Sequence, residues 1–122
     1  MEWNFKNGIP IYTQIIDEMT MWIASGEYAP GDKLPSVRDL AMDAGVNPNT
    51  MQRALAELER RGLVYSERTS GRFVTKEEKI LKELHGELAE KYFEELTEKL
   101  RKIGMSDGDI RRAVEKWMKD IK

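Results

Sequence analysis

Apolar residues recur along the chain at spacings that predict most of its secondary structure. From Pro10 to Ala24 and from Pro48 to Arg61 they fall at every third or fourth position, which is the spacing of an amphipathic helix. A shorter helix with the same pattern is predicted from Val37 to Ala44. From Lys76 onward apolar residues repeat every four positions, which predicts one long helix of roughly 27 residues.

Short runs of β-forming residues separate these helical segments. After Gly62 the pattern predicts two strands, Leu63 to Glu67 and Arg72 to Thr75, joined by a turn at residues 69–71. The earlier stretch from Gly26 to Ser36 holds two of the four prolines, Pro30 and Pro35, so it is predicted to be a turn followed by a short extended piece. The predicted order is three helices, a β-hairpin and a helical tail.

Capping residues fix where the second and third helices begin. Ser36 can accept from free N–H groups at the start of the second helix, and Asn47 can do the same for the third. Pro48 then falls at the first helical position, where its missing N–H costs nothing. The stretch from Leu34 to Leu63 is therefore predicted to be two helices joined by a tight turn. Such a pair places the start of its second helix in a DNA major groove.

The tail from residue 76 to residue 122 has more apolar surface than one small domain can bury. Its long helix is followed by a break at Gly104 and by a last helix that Ser106 and Asp109 can cap as a capping box. Two such helices form a hairpin, and we expect it to pair with the hairpin of a second chain. The residues predicted to make this dimer contact are Leu84, Leu88, Tyr92, Phe93, Leu96, Leu100, Ile110, Val114, Trp117 and Met118.

The overall charge does not favour nucleic-acid binding, because the formal net charge is −2 and DNA-binding domains are usually basic. The distribution of charge is more favourable. From Asn47 to Lys76, six basic residues stand against three acidic ones, so the balance is positive where DNA contact is expected. The acidic total motivates an alternative hypothesis, in which the same domain binds another protein and not DNA.

The chain offers little support for enzymatic or metal chemistry. It has no cysteine and one histidine, which excludes disulfides and thiolate zinc sites. We find no glycine-rich phosphate loop, no nucleophile paired with a base and no cluster of metal ligands, so neither a cofactor nor a metal is expected. No apolar run approaches the roughly 20 residues of a membrane span, and no signal peptide is evident. We expect a cytoplasmic protein without a membrane partner.

Four ordered motifs resemble a known family. They read PIYTQI from Pro10, SGEYAPGDKLPSVRDLA from Ser25, VNPNTMQRALAELERRGLV from Val46 and SGRFV from Ser70. This order resembles the winged-helix DNA-binding domain of the GntR family of bacterial transcription regulators. The form VNPNT and the short two-helix tail look like the YtrA subfamily.

The resemblance implies a fold and a set of DNA-binding residues. The fold is mainly α with a small β-wing, a winged helix-turn-helix domain over residues 1–75 followed by a dimerisation hairpin over residues 76–122. Many relatives place an arginine able to contact guanine at position 48, where this chain has Pro48. Base reading is therefore expected from Asn49, Gln52 and Arg53. The resemblance implies DNA contact by Arg38, Pro48, Asn49, Thr50, Gln52, Ser70 and Gly71. Their charge and place in the chain add Arg53, Arg68 and Arg72 to the expected DNA contacts, with solvated turn charges as the alternative for Arg68 and Arg72.

Arg68 and Arg72 flank the small residues of the predicted wing tip, which suits a phosphate backbone or a minor groove. The tail is too short for the effector domain of larger GntR proteins, although the tail aromatics Tyr92, Phe93 and Trp117 leave open an effector that the sequence does not identify. YtrA-like proteins are similar to regulators of transporter operons, often repressors. The leading hypothesis is a homodimeric repressor that binds double-stranded DNA at a palindromic operator.

Overall fold

The structure, a computed structural model, describes residues 2–121 and contains five helices and two strands within that range. In chain order they are α1 (Ile11–Ser25), α2 (Val37–Ala44), α3 (Pro48–Arg60), β1 (Val64–Glu67), β2 (Gly71–Val74), α4 (Glu78–Lys102) and α5 (Asp107–Asp120). The predicted fold class, a winged helix-turn-helix followed by two helices, is confirmed. The predicted strands and helices differ from the observed ones by only one or two residues at their ends, because hydrophobic pattern marks the middle of an element better than its end.

The chain divides into two compact units, one ending at Leu84 and the other beginning at His85. This division falls inside α4. The separate roles assigned to residues 1–75 and 76–122 remain a prediction.

The core of the first unit lies between α1 and α3. Met51, Leu55 and Leu58 of α3 are fully buried, and Ile15 and Met19 of α1 are buried equally deeply. Both α1 and α2 pack on α3, and β1 packs on it as well. The predicted apolar stripes therefore form one core, with α3 at its centre.

Helix α1 begins one residue later than predicted. Pro10 lies just before the helix with a ψ of 134°, which is extended backbone, and its carbonyl accepts from the Gln14 N–H at 3.2 Å. Gly26 ends the helix in the left-handed conformation with a φ of 84°, which a glycine adopts without steric cost. The prediction that Gly26 stops the helix is confirmed.

The hairpin pairs β1 and β2 antiparallel, with Val64 opposite Val74 and Tyr65 opposite Phe73. The two valines are buried, while the two rings stack with centroids 5.6 Å apart on the other face. This opposite placement follows from the alternation of side chains along a strand.

A third backbone segment lies along the hairpin, which the sequence pattern does not predict. Lys33 forms an isolated bridge with Phe73, and the Leu34 N–H donates to the carbonyl of Arg72 at 2.9 Å. The Val74 N–H donates in turn to the carbonyl of Asp32 at 2.8 Å. The extended piece before α2 was expected from its prolines, but its pairing with a strand about forty residues later is a long-range contact without a local signal.

The segment before α1 is held by one buried glutamine. The Gln14 amide oxygen accepts from the Lys6 N–H at 2.7 Å, and its nitrogen donates to the carbonyls of Lys6 and Ile9, each at 2.9 Å. Farther out, Trp3 packs edge-on against Trp22 and donates from Nε1 to the Asp43 carboxylate at 3.1 Å. The N-terminal segment is therefore an ordered part of the first unit.

The second unit exposes most of its apolar residues. Within residues 85–121, Ile110 is the one buried residue. The capping box at the start of α5 is confirmed, since Ser106 Oγ accepts from the Asp109 N–H and Asp109 accepts from the Ser106 N–H. None of the helices in residues 2–121 is long and apolar enough to cross a membrane.

Replacing Gln14 by alanine should destabilise the first unit by about 1–3 kcal/mol, because three backbone groups of the N-terminal segment lose their hydrogen-bond partner. Urea denaturation followed by circular dichroism measures this change. The matched control is Gln52→Ala, an exposed glutamine, which should change the free energy of unfolding by less than about 0.5 kcal/mol. Equal stability of the two variants would contradict the assigned role of Gln14.

Candidate nucleic-acid interface

Helices α2 and α3 form a helix-turn-helix whose ends are fixed by caps. Ser36 Oγ accepts from the Asp39 N–H at 3.1 Å at the start of α2. Gly45 ends α2 with a φ of 69°, and the Val46 N–H donates to the carbonyl of Ala41 at 3.0 Å. This left-handed residue turns the chain sharply, which is the usual role of glycine after a helix.

The start of α3 is defined equally well. Asn47 Oδ1 accepts from the Asn49 N–H at 2.7 Å, and Pro48 is the first helical residue. Both caps predicted from the sequence are confirmed. The first turn of α3 therefore has a fixed direction and carries Pro48 and Asn49 at the surface.

One face of α3 is buried and the opposite face is open. Pro48, Asn49, Gln52 and Arg53 are exposed, and Thr50 is half-buried. The structure thus brings together at the beginning of α3 the residues predicted to read DNA bases. Asparagine and glutamine side chains can each donate to and accept from an adenine edge in a major groove.

Arg38 lies on the exposed side of α2. Within residues 2–121 no carboxylate forms an ion pair with its guanidinium. A surface arginine without a carboxylate partner keeps all its donors available for a phosphate.

The wing tip lies beside the start of α2. A surface groove is lined on one side by residues 33–37 and on the other by Ser70, Gly71 and Arg72. Ser70 belongs to a tight turn in which its N–H donates to the carbonyl of Glu67, and Gly71 has a φ of 110°. The predicted tip residues therefore share a surface with the capped end of α2.

The two wing arginines have different surroundings. Arg68 is exposed at the turn, whereas the Arg72 side chain is only 21% exposed and its Nε lies 3.6 Å from a carboxylate oxygen of Glu59. Ser66, which lies opposite Arg72 in the hairpin, also donates to Glu59. Paired positions point to the same side of a sheet, so both side chains face α3. Contact of Arg72 with a phosphate remains a prediction.

The acidic residues of α3 neutralise the basic end of the helix. Arg60 Nη2 lies 2.6 Å and Arg61 Nε 2.7 Å from the Glu57 carboxylate. The hydrogen bonds from Arg60 and then from Arg61 lower the pKa of Glu57 from its ordinary value of 4.5 to about 2. The interpretation of both arginines as helix-end charges is supported, and the local positive charge is smaller than a count of residues indicates.

Arg53 contacts an aromatic ring that the sequence does not reveal as a partner. Its Cζ atom lies 4.7 Å from the ring centroid of Tyr12 in α1, which is the geometry of a cation–π interaction. Forty-one positions separate the two residues, and no local pattern joins them. Within residues 2–121 no group of three or more acidic or histidine side chains could hold a metal ion.

A family model described as "Bacterial regulatory proteins, gntR family" matches residues 11–74, which is the whole helix-turn-helix with its wing. The chain belongs to the GntR family. This GntR chain is therefore a DNA-binding transcription regulator and not an enzyme.

Curated relatives support the same assignment. The chain is 36% identical over 110 residues to YhcF of Bacillus subtilis, an uncharacterized HTH-type transcriptional regulator, covering 90% of this chain and 91% of the relative. It is 43% identical over 74 residues to the transcriptional repressor YtrA of the same organism, covering 61% of this chain and 57% of YtrA. The resemblance to YtrA-type GntR regulators is confirmed.

Solved structures agree with the fold. A GntR family transcriptional regulator from Listeria monocytogenes superposes with a TM-score of 0.82 and 34% identity, covering 97% of this chain and all of that chain. The DNA-binding domain of AraR in complex with operator ORX1 has a TM-score of 0.56 and 31% identity, covering 62% of this chain and 96% of the domain. The matching part of AraR is thus a domain seen bound to DNA.

Neutralising Glu57 should make the stability of this GntR chain less sensitive to acid. Because the pKa of Glu57 is lower in the folded chain than in the unfolded one, its stabilising effect is present above pH 4.5 and is lost as the pH falls toward 2. Glu57→Gln should therefore lose less stability than the wild type between these two pH values, as measured by urea denaturation at a series of pH values.

The control for this experiment is Glu27→Gln, which removes an exposed carboxylate without an ion pair among residues 2–121. Its acid dependence should follow the wild type. A Glu57→Gln profile that also follows the wild type would show that the contacts with Arg60 and Arg61 do not contribute to stability in solution.

Proposed function

We propose that this GntR chain acts as a homodimeric repressor that binds a palindromic operator. The observation that carries the proposal is the exposed polar face at the capped start of α3, with Arg38, Arg53 and Arg68 on the same unit and none of them in an ion pair with a carboxylate among residues 2–121. The operator complex of the AraR domain supports DNA as the ligand of this surface.

Within this proposal the contacts divide into positioning and reading. Arg38, Arg68 and the wing tip at Ser70 and Gly71 bind phosphates, which fixes the position of the unit on the duplex. Asn49 and Gln52 read base edges, and adenine is the base that their amide groups match best. Pro48 supplies no cation for a guanine. Arg72 is the least available of the wing cations, because its side chain is only 21% exposed and its Nε lies 3.6 Å from a carboxylate oxygen of Glu59.

The exposed apolar surface of the second unit supports the dimer. Phe93 is 59% exposed and Trp117 is 66% exposed, and further large apolar residues of α4 and α5 are open to solvent. The exposed ones are Tyr92, Phe93, Leu96, Ile103, Trp117, Met118 and Ile121. Such a concentration in a short unit is typical of an interface. We propose a second copy of the chain as the partner.

The predicted dimer residues are not equally suited to this contact. Leu84 and Ile110 are already buried within a single chain, so they support the helices instead of facing a partner. Leu88, Leu100 and Val114 are half-buried, and the other five are exposed. The exposed aromatic residues are therefore the best positions at which to disrupt the dimer.

Two further parts of the proposal are carried over from the YtrA subfamily: repression of a transporter-type operon and a location in the cytoplasm. Both rest on the similarity to the YtrA repressor. With two recognition helices in one dimer, the half-sites would lie about one helical turn of DNA apart. A small-molecule effector of the dimer is compatible with this proposal.

The alternative function is a winged-helix module that binds another protein without DNA. The net charge of −2 favours it, and the local excess of unpaired arginines on the first unit opposes it. The two functions differ in salt dependence, since release of counterions weakens DNA binding steeply as salt is added.

Replacing Arg38 by alanine should weaken binding to the DNA upstream of the protein's own gene by roughly tenfold, and should lower the slope of affinity against salt by about one charge, because one phosphate contact is lost. Fluorescence anisotropy at several salt concentrations measures both values. The matched control is Arg111→Ala in α5, which removes an exposed arginine from the second unit. If Arg38→Ala bound DNA as tightly as the wild type, Arg38 would not be part of the DNA interface.

Introducing a charge at Phe93 or Trp117 should convert the dimer into monomers, because the carboxylate of Phe93→Glu or Trp117→Glu would be buried in an apolar contact. Sedimentation velocity measures the change in mass. The control is Met42→Glu, where an apolar residue that is 70% exposed lies on the first unit. A dimer that survives both glutamate variants, or a monomeric wild type, would contradict the proposed interface.

A further inference from the structure

Tyr12 and Arg53 form a contact between α1 and α3 at the edge of the surface proposed to bind DNA. Tyr12 is the second residue of α1, and its ring centroid lies 4.7 Å from the Arg53 Cζ atom. The core residues Ile15 of α1 and Met51 of α3 are fully buried close by in sequence, so packing of the two helices fixes the position of the ring. The ring thus belongs to a helix that the core holds against α3.

Arg53 differs from the basic residues farther along α3. Arg60 and Arg61 are paired with Glu57, and Arg72 of the wing is paired with Glu59. No carboxylate among residues 2–121 pairs with Arg53. A cation–π contact leaves an arginine charged and uses no carboxylate, so Arg53 keeps its charge and has donors available for an acceptor.

The place of Arg53 on the helix favours a phosphate over a base. The first residues of a recognition helix reach base edges, and the preceding helices cross the DNA backbone. Arg53 is one turn beyond Asn49 and lies on the side of α3 that faces Tyr12 of α1. The planar fork of a guanidinium matches two oxygens of a phosphate, and holding it beside a ring before binding reduces the freedom it must lose.

We infer that Tyr12 is a positioning residue, whose ring holds the Arg53 guanidinium so that Arg53 binds a DNA phosphate beside the recognition helix. This inference rests on the proposed DNA-binding function. It gives Tyr12 a role through Arg53, without a contact of its own to a base.

A purely structural contact would have different consequences. If the pair only strengthened the packing of α1 on α3, its loss would lower stability and leave DNA affinity per folded molecule unchanged. Stability and affinity must therefore be measured on the same variants, by urea denaturation and by fluorescence anisotropy.

The experiment compares four variants of the 122-residue chain. Three are the single substitutions Tyr12→Phe, Tyr12→Leu and Arg53→Ala, and the fourth carries both Tyr12→Leu and Arg53→Ala. Two labelled duplexes are titrated at several salt concentrations, one from upstream of the protein's own gene and one with the same base composition in scrambled order. Tyr12→Phe keeps the ring and removes only the hydroxyl, while Tyr12→Leu keeps apolar bulk without the ring. Arg53→Ala changes an exposed helical position and should leave the fold intact.

We expect Tyr12→Phe to bind like the wild type and Tyr12→Leu to bind about two- to fivefold more weakly. Arg53→Ala should bind roughly tenfold more weakly to both duplexes, with a salt slope lower by about one. The double variant should bind no more weakly than Arg53→Ala, because the ring has no role once the arginine is gone.

Four results would overturn the inference. Unchanged DNA affinity of Arg53→Ala would show that Arg53 makes no phosphate contact. A loss of affinity confined to the upstream duplex, with an unchanged salt slope, would show that Arg53 reads a base. A Tyr12→Leu effect of equal size with and without Arg53 would show that Tyr12 acts independently. If the wild type bound neither duplex in a salt-dependent way, the proposed DNA-binding function itself would be overturned. The other three results overturn only the role of Tyr12 or Arg53, so the two kinds of failure can be distinguished.

Discussion

Burial of one face of α3 is the constraint on which the first unit depends. Met51, Ala54, Leu55 and Leu58 are almost completely excluded from solvent, and α1, α2 and β1 all pack against the same helix. A helix fixed along one face cannot rotate about its axis without exposing that face. The positions of Asn49, Gln52 and Arg53 on the outer face are therefore consequences of the core, and core and interface are two sides of one helix.

The local features of this architecture could be predicted from the sequence, and the long-range ones could not. Ser36, Asn47 and Ser106 each accept from a backbone N–H two or three residues later, so nearby residues determine their role. The partners of Gln14 and Tyr12 depend on how the chain folds back on itself. For the candidate interface, the sequence identifies exposed residues on α3 correctly but does not indicate that a ring lies beside Arg53.

Carboxylates on α3 reconcile an acidic chain with a DNA-binding surface. Glu57 forms ion pairs with Arg60 and Arg61, and Glu59 lies within ion-pair distance of Arg72. Both acids lie in the second half of α3, away from the exposed residues at its start. A count of charges by segment cannot show this, because it treats paired and unpaired arginines alike. Pairing decides which cations are available to a phosphate, and it leaves the exposed arginines around the start of α3 available.

The backbone pairing of residues 31–34 with β2 has a consequence for the entropy of binding. These hydrogen bonds join the segment that enters α2 to the strand that leaves the wing tip, so the groove between them is already formed in the unbound chain. A wing attached only through its own turn would lose conformational freedom when it met a duplex. Here much of that freedom is removed on folding, so the DNA interface proposed above is preorganised.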